Sequence, residues 1–259
     1  MQQAAVLRFV ALAGGLLLLP ACERTEASPE LARAAEPAGV VAATGGDTTG
    51  YAPDAAVDRE PGVAAKLDAA PAQIRGIYLN AYAGGSRARL RKLIEMADRT
   101  ELNTFVIDVK DERGVHFRAA TPLAQELAQP GEITMPDLRA ITDTLKAHGI
   151  YAIARIVVFK DPILSKARPE WSIRTQEGGL WRDKEGNTWV SAWDPAVWDY
   201  NIDLAEEAAR AGFDEIQFDY VRFPEPFTSL PPQVHPKAAG PREEAIARFL
   251  LEARRRLHP

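Results

Sequence analysis

The chain of 259 residues is 46% hydrophobic and 26% charged, a balance ordinary for a globular protein. A formal charge of −5 leaves no basic surplus to neutralise phosphates, which argues against a nucleic-acid partner. The single cysteine excludes an internal disulfide framework and a cysteine-based zinc site, and four scattered histidines (His116, His148, His235, His258) argue against a histidine metal site. No metal or cofactor is expected.

The N-terminus reads as an address. Arg8 precedes an apolar run from Phe9 to Leu19, too short to span a hydrocarbon core of about 30 Å. The run suits the apolar region of a secretory signal. Leu19-Pro20-Ala21-Cys22 follows and resembles the bacterial lipobox, in which the cysteine is lipidated and becomes the mature N-terminus. Residues 1–22 are therefore expected to be a lipoprotein signal peptide, with Cys22 as the lipidation site and the membrane as a partner. A plain secretory signal with an incidental cysteine is the alternative. Glu23 rather than an aspartate follows Cys22, which favours the outer membrane of a Gram-negative envelope.

Residues 23–72 are rich in Ala, Pro, Gly, Thr and acids, with Tyr51 as their one aromatic residue. Such a segment cannot bury enough apolar surface to offset the entropy of ordering it, and it reads as a disordered linker.

From residue 73 to 259 strand and helix signals alternate. Ile74 to Ala81 reads as a strand, and Ser86 to Glu101 has helical spacing with Leu90, Leu93, Ile94 and Ala97 on one face. Asn103 to Val109 is a second strand. Met135 to His148 is a helix with Gly149 as its stop signal, and Ile150 to Phe159 is a third, strongly apolar strand. Asp194-Pro195 supplies an N-cap and a first-turn proline for a helix running to Ala211. Phe213 to Tyr220 is the fourth strand, and Pro241 opens a last helix.

Four strand-then-helix units imply a parallel sheet with right-handed crossovers. Helix-to-strand links are short, whereas long loops follow strands two, three and four. That asymmetry marks an α/β fold whose site lies at the carboxyl ends of its strands. Alternation puts Tyr78, Asn80 and Tyr82 on one face of the first strand. It does the same for Val106, Asp108 and Lys110, for Ile153, Arg155 and Val157, and for Glu215, Gln217 and Asp219. The other faces carry Ile77, Leu79, Phe105, Ile107, Ala154, Ile156, Ile216 and Phe218, suited to burial beneath helices. A doubly wound sheet would be apolar on both faces. A (β/α)8 TIM-barrel fold fits better, with about the first four βα units present, so that the chain reads as the N-terminal half of a barrel.

The string Phe218-Asp219-Tyr220-Val221-Arg222-Phe223-Pro224 makes a resemblance specific. IRGIYLNAY at Ile74 to Tyr82, FVIDVKDERG at Phe105 to Gly114 and DEIQFDYVRFP at Asp214 to Pro224 resemble a bacterial family of glycoside hydrolases of unknown substrate. The resemblance covers about residues 73 to 230. It implies a barrel distantly similar to α-amylases and α-galactosidases, and, by analogy with them, a nucleophilic aspartate ending strand four, here Asp219. It also implies a general acid from a later strand.

Around Asp219 the candidate substrate-binding residues are Asn80, Tyr82, Asp108, Lys110, Asp111, Arg155, Trp193, Gln217 and Arg222. Arg222 is positioned in sequence to pair with Asp219, so a structural ion pair is the alternative to catalysis. Arg155 interrupts an apolar strand, and a buried arginine requires an acidic partner, expected to be Asp108 or Asp219. Lys160-Asp161 is a weaker candidate. All five tryptophans (Trp171, Trp181, Trp189, Trp193, Trp198) fall between strand three and the start of its helix. Most are expected to pack that long loop, with Trp193 favoured as a platform for a sugar ring. The expected function is a surface-anchored glycoside hydrolase acting on a polysaccharide or envelope glycan. A non-catalytic carbohydrate-binding lipoprotein is the alternative.

Overall fold

The computed structural model describes residues 6–7 and 70–258. Cys22 and residues 23–69 of the expected linker lie outside the described residues. Among the described residues, four parallel strands form the body of the sheet, β1 (Gly76–Leu79), β2 (Thr104–Asp111), β3 (Tyr151–Val157) and β4 (Glu215–Asp219). They pair in sequence order, β1 with β2, β2 with β3 and β3 with β4. A doubly wound sheet reverses direction at a switch point; unbroken sequential order is the order of a barrel wall. Gly114–Val115 folds back antiparallel onto the end of β2, and Val6–Leu7 pairs parallel with Glu215 and Ile216 on the far side of β4.

The helices are α1 (Ala81–Gly85), α2 (Arg87–Ala97), α3 (Pro122–Glu126), α4 (Leu138–Ala147), α5 (Pro162–Ala167), α6 (Pro195–Arg210) and α7 (Arg242–Leu257). The four long ones follow the sequence signals. Ser86, Asp137 and Asp194 cap α2, α4 and α6 by accepting backbone N–H bonds. Gly149 and Gly212 adopt φ of 65° and 102° just past α4 and α6, a conformation that costs glycine nothing.

The three short helices were not legible in the sequence: α1 shortens the first expected strand, and α3 and α5 lie in the long loops after β2 and β3. β1 ends at Leu79 because the Asn80 side chain accepts from Ala83 N–H and starts α1. α4 starts at Leu138 rather than Met135 because Asp137 is its cap.

The two sheet faces differ as the alternation predicts. Phe105, Ile107, Ala154, Ile156 and Ile216 are completely buried in the main core beneath the helices. The opposite face carries Tyr78, Arg155, Gln217 and Asp219, all partly open to solvent. The inner face also carries Val106, Ile153 and Val157, so it is a mixed layer whose polar side chains gather towards the strand ends, where a barrel builds its site.

One irregularity breaks the alternation. Asp108 lies opposite Arg155, but Lys110, not Val109, lies opposite Ile156. β2 therefore carries one extra residue, a bulge at Val109, and everything beyond it changes face. Lys110 leaves the inner face, contrary to the sequence expectation. It is fully buried towards the helices, 2.8 Å from Asp161, and its ammonium sits 5.7 Å from the centre of the Tyr200 ring in α6. Asp161 uses its other oxygen to cap α5 through Leu164 N–H. Lys110 thus ties the end of β2 to the loop after β3, a structural role.

Candidate active site

At the carboxyl ends of the strands the inner-face side chains form one connected row. Tyr78 of β1 donates its hydroxyl to Asp108 Oδ2 on β2. Asp108 Oδ1 accepts from Arg155 Nη1 of β3 at 2.6 Å. The other edge of the same guanidinium, Nε and Nη2, donates at 2.8 and 2.6 Å to Asp219 Oδ2 at the end of β4. Arg155 therefore has both acidic partners proposed for it.

Exposure separates the two carboxylates. Asp108 has both oxygens occupied and is 1% exposed. The Asp219 side chain is 40% exposed and opens at the mouth of the row. Burial disfavours the Arg155 charge, but hydrogen bonds and charge from Asp108 and Asp219 outweigh it and hold the guanidinium well above its ordinary range. Burial and the bond to Asp108 likewise push the Tyr78 hydroxyl well up, so it acts as a proton donor to Asp108.

The turn after Asp219 is unusual. Tyr220 has φ of 53°, the left-handed region that a non-glycine residue rarely occupies and that costs of order 1–3 kcal/mol. This conformation brings Tyr220 N–H to 2.6 Å from Asp219 Oδ1. The Tyr220 ring is held by Trp189 at 5.7 Å and by two cations, Lys160 at 5.0 Å and Arg222 at 5.4 Å. Asp219 thus receives hydrogen bonds on both oxygens from groups fixed by packing. Such a strained, over-determined residue is common at reactive sites.

A second cluster stands beside the row, built by the bulge. Asp111, returned to the inner face in place of Lys110, accepts from Arg113 N–H at 2.8 Å and lies 3.0 Å from His116 Nε2. His116 is completely buried, and its Nδ1 contacts the Glu132 carbonyl oxygen at 2.8 Å. Burial would raise the Asp111 carboxyl, but the bonds from His116 and Arg113 outweigh burial and hold it well below the usual carboxylate range. Tyr82 of α1 donates to the Glu132 carboxylate at 2.8 Å, with the Arg113 guanidinium 4.7 Å from its ring centre.

A folded-state carboxyl that titrates below its ordinary value of 3.8 stabilises the fold above that pH, and the contribution is lost as pH falls further. In urea melts, the stability gap between the parent and Asp111→Asn is expected to be constant from pH 7 to pH 5 and to narrow by about 1 kcal/mol at pH 3. A gap unchanged at pH 3 would contradict the assignment.

Of the expected site residues, Asp108, Arg155 and Asp219 are joined directly, Gln217 lies half-buried on the same face opposite Arg155, and Asp111 and Tyr82 form the neighbouring cluster. Asn80 is an exposed helix cap. Arg222 is not the partner of Asp219; it faces Glu225 at 3.6 Å and lies over the rings of Trp189 and Tyr220. Trp181, Trp189 and Trp198 are buried and donate to the Pro231 carbonyl, the Asp183 carboxylate and the Ala192 carbonyl, so they pack the loop after β3. Trp193 packs against Phe223 and His235 at 4.6 and 5.0 Å, which occupies it as a ring platform.

Tyr78, Tyr220, His116 and Glu132 were not singled out in the sequence. Alternation placed Tyr78 on the inner face with the named residues but assigned it no role in the site. The others depend on loop conformation.

Residues 76–259 match the family described as "Putative glycosyl hydrolase domain". A hypothetical protein from Ruminiclostridium thermocellum is 35% identical, with a TM-score of 0.62 over 69% of this chain and 91% of that one. An inactive mutant of an exo-β-N-acetylglucosaminidase from Vibrio harveyi superposes with a TM-score of 0.52 at 17% identity, over 71% of this chain and 33% of that one. At that identity the likeness concerns the fold alone, and this chain spans about a third of that enzyme. No curated protein matches the chain.

Proposed function

The chain belongs to this glycosyl hydrolase domain family, and we propose that Asp219 is its catalytic nucleophile, acting on a polysaccharide or envelope glycan from a lipid anchor at Cys22. The observation that carries the reading is the asymmetry within the Asp108–Arg155–Asp219 row. One carboxylate is sealed in the wall with both oxygens satisfied. The other is half-exposed, at a strand end, oriented by one guanidinium and one backbone amide. A retaining glycosidase needs such a fixed carboxylate to attack the anomeric carbon while the glycosidic oxygen leaves.

In this reading Arg155 aims Asp219 and is a positioning residue. Asp108 and Tyr78 set the orientation of Arg155. Neither Asp108 nor Asp111 is suited to protonate a leaving group, because each is buried and fully engaged. Acid assistance is therefore assigned to neither.

The same ion pairing favours one other reading, a carbohydrate-binding wall in which Asp219 and Arg155 are structural. Turnover of 2,4-dinitrophenyl glycosides, whose leaving group needs no acid, separates the two. Hydrolysis that depends on Asp219 supports the nucleophile; binding without hydrolysis supports the binding wall.

Anchoring rests on Leu19-Pro20-Ala21-Cys22 and on the tether that follows it. Cells fed labelled palmitate should incorporate it into the parent chain and not into Cys22→Ser. Labelling that survives the substitution would overturn the anchor.

A further inference from the structure

The supports of the Tyr220 ring come from the chain that follows β3. Trp189 is 2% exposed and Lys160 3%, so two of the three groups around the ring are fixed in the interior. The third, Arg222, lies over both rings from the solvent side.

Both interior supports lead to one residue. Asp183 Oδ2 accepts from Trp189 Nε1 at 2.9 Å and lies 3.9 Å from Lys160 Nζ. Asp183 Oδ1 accepts from the backbone N–H of Glu185 at 3.0 Å and of Asn187 at 2.9 Å, which closes a tight turn. That turn carries the Glu185 carboxylate to the Lys160 ammonium. Burial disfavours the charge on Lys160, but the bond to Glu185 and the neighbouring acidic groups outweigh it and hold the ammonium above its ordinary range.

The backbone does not hold Tyr220 by itself. The ladder between β3 and β4 closes with Val158 N–H donating to the Asp219 carbonyl at 2.9 Å. Among the described residues no backbone–backbone bond reaches Tyr220. A non-glycine residue stays in the left-handed region only where its surroundings over-determine it. Here those surroundings are the contacts of the ring.

We propose that Asp183 is a positioning residue for Asp219. It fixes Trp189 and Lys160, they seat the Tyr220 ring, and the seated ring maintains the turn that brings Tyr220 N–H to Asp219 Oδ1. The inference rests on the nucleophile reading and places a control of that nucleophile in the loop after β3. Loss of the seat frees the carboxylate to rotate about the bonds from Arg155, and a misaimed nucleophile lowers rate rather than binding.

The test uses the full chain and 2,4-dinitrophenyl glycosides of gluco, galacto and N-acetylglucosamine type. On the glycoside that the parent hydrolyses, Asp183→Asn and Tyr220→Ala should each lower kcat by about tenfold or more, with KM within about twofold of the parent. Tyr220→Phe, which keeps the ring, should recover most of what Tyr220→Ala loses.

A second background separates aiming from general damage to the fold. In Asp219→Gly, added azide takes the vacated place and attacks the anomeric carbon, forming a glycosyl azide as dinitrophenolate leaves. Azide is not aimed by the Tyr220 turn, so adding Asp183→Asn should change the azide-dependent rate by less than about twofold. Azide rescue that still falls tenfold with Asp183→Asn, a rise in KM in place of a fall in kcat, or parent kcat in Asp183→Asn would each overturn the positioning role and leave the nucleophile standing. Asp219→Gly that azide does not restore would overturn the nucleophile, and the positioning role with it.

Discussion

Asp219→Asn is expected to lower kcat/KM on 2,4-dinitrophenyl glycosides by at least about 10³-fold, the scale seen when a member of a catalytic unit is removed. The substitution keeps the shape of the side chain and deletes the charge that attacks. Its near-UV circular dichroism should match the parent, because Arg155 retains Asp108 as a partner. The half-exposed position of Asp219 also limits its share in stability, since exposed ion pairs contribute little. Parent rates in the variant would place the nucleophile elsewhere. A collapsed fold with no catalytic signature in surviving protein would favour the structural ion pair.

The largest expected stability effect lies one residue inward. Arg155→Leu removes the counter-charge of Asp108, which is 1% exposed. Stranding a buried charge costs about 3–5 kcal/mol. For a domain of this size that corresponds to a fall in melting temperature of about 10 °C. Adding Asp108→Leu to Arg155→Leu should recover much of the loss, because a buried ion pair replaced by apolar groups is close to neutral. A single variant that melts within a degree or two of the parent, or a double variant worse than the single, would contradict the row described here. Both variants should also lose activity, since Asp219 would no longer be aimed.

The contrast between Asp108 and Lys110 shows where the sequence could be read and where it could not. Period-two alternation is a property of a regular strand, and it correctly placed Tyr78, Asp108, Arg155, Gln217 and Asp219 on one face. It also predicted that Arg155 must have an acidic partner, because the cost of burying a lone guanidinium does not depend on the details of the fold. It failed at Lys110 because a bulge is a local change in hydrogen-bond register that leaves no mark on composition. One extra residue sent Lys110 to the core and brought Asp111 inward.

Loops were less legible still. Arg222 stands three residues from Asp219 in sequence, but the left-handed turn at Tyr220 redirects the chain, and Arg222 comes to lie over two rings instead. The contact of Trp193 with His235 joins segments about forty residues apart, a proximity that only the folded loops create. The barrel-like order of the strands, in contrast, was encoded in repeated βα signals and in the lopsided loop lengths.

The most direct test of the central claim is covalent trapping. A 5-fluoro-glycosyl fluoride carries a leaving group that departs without acid assistance, and its ring fluorine slows the hydrolysis of the glycosyl-enzyme, so the adduct accumulates on the nucleophile. The full chain should be treated with such reagents of gluco, galacto and N-acetylglucosamine type, digested, and its peptides weighed. The account predicts one added glycosyl mass on the peptide containing Asp219, absent from Asp219→Asn. An adduct on another carboxylate, or labelling that persists in Asp219→Asn, would contradict it.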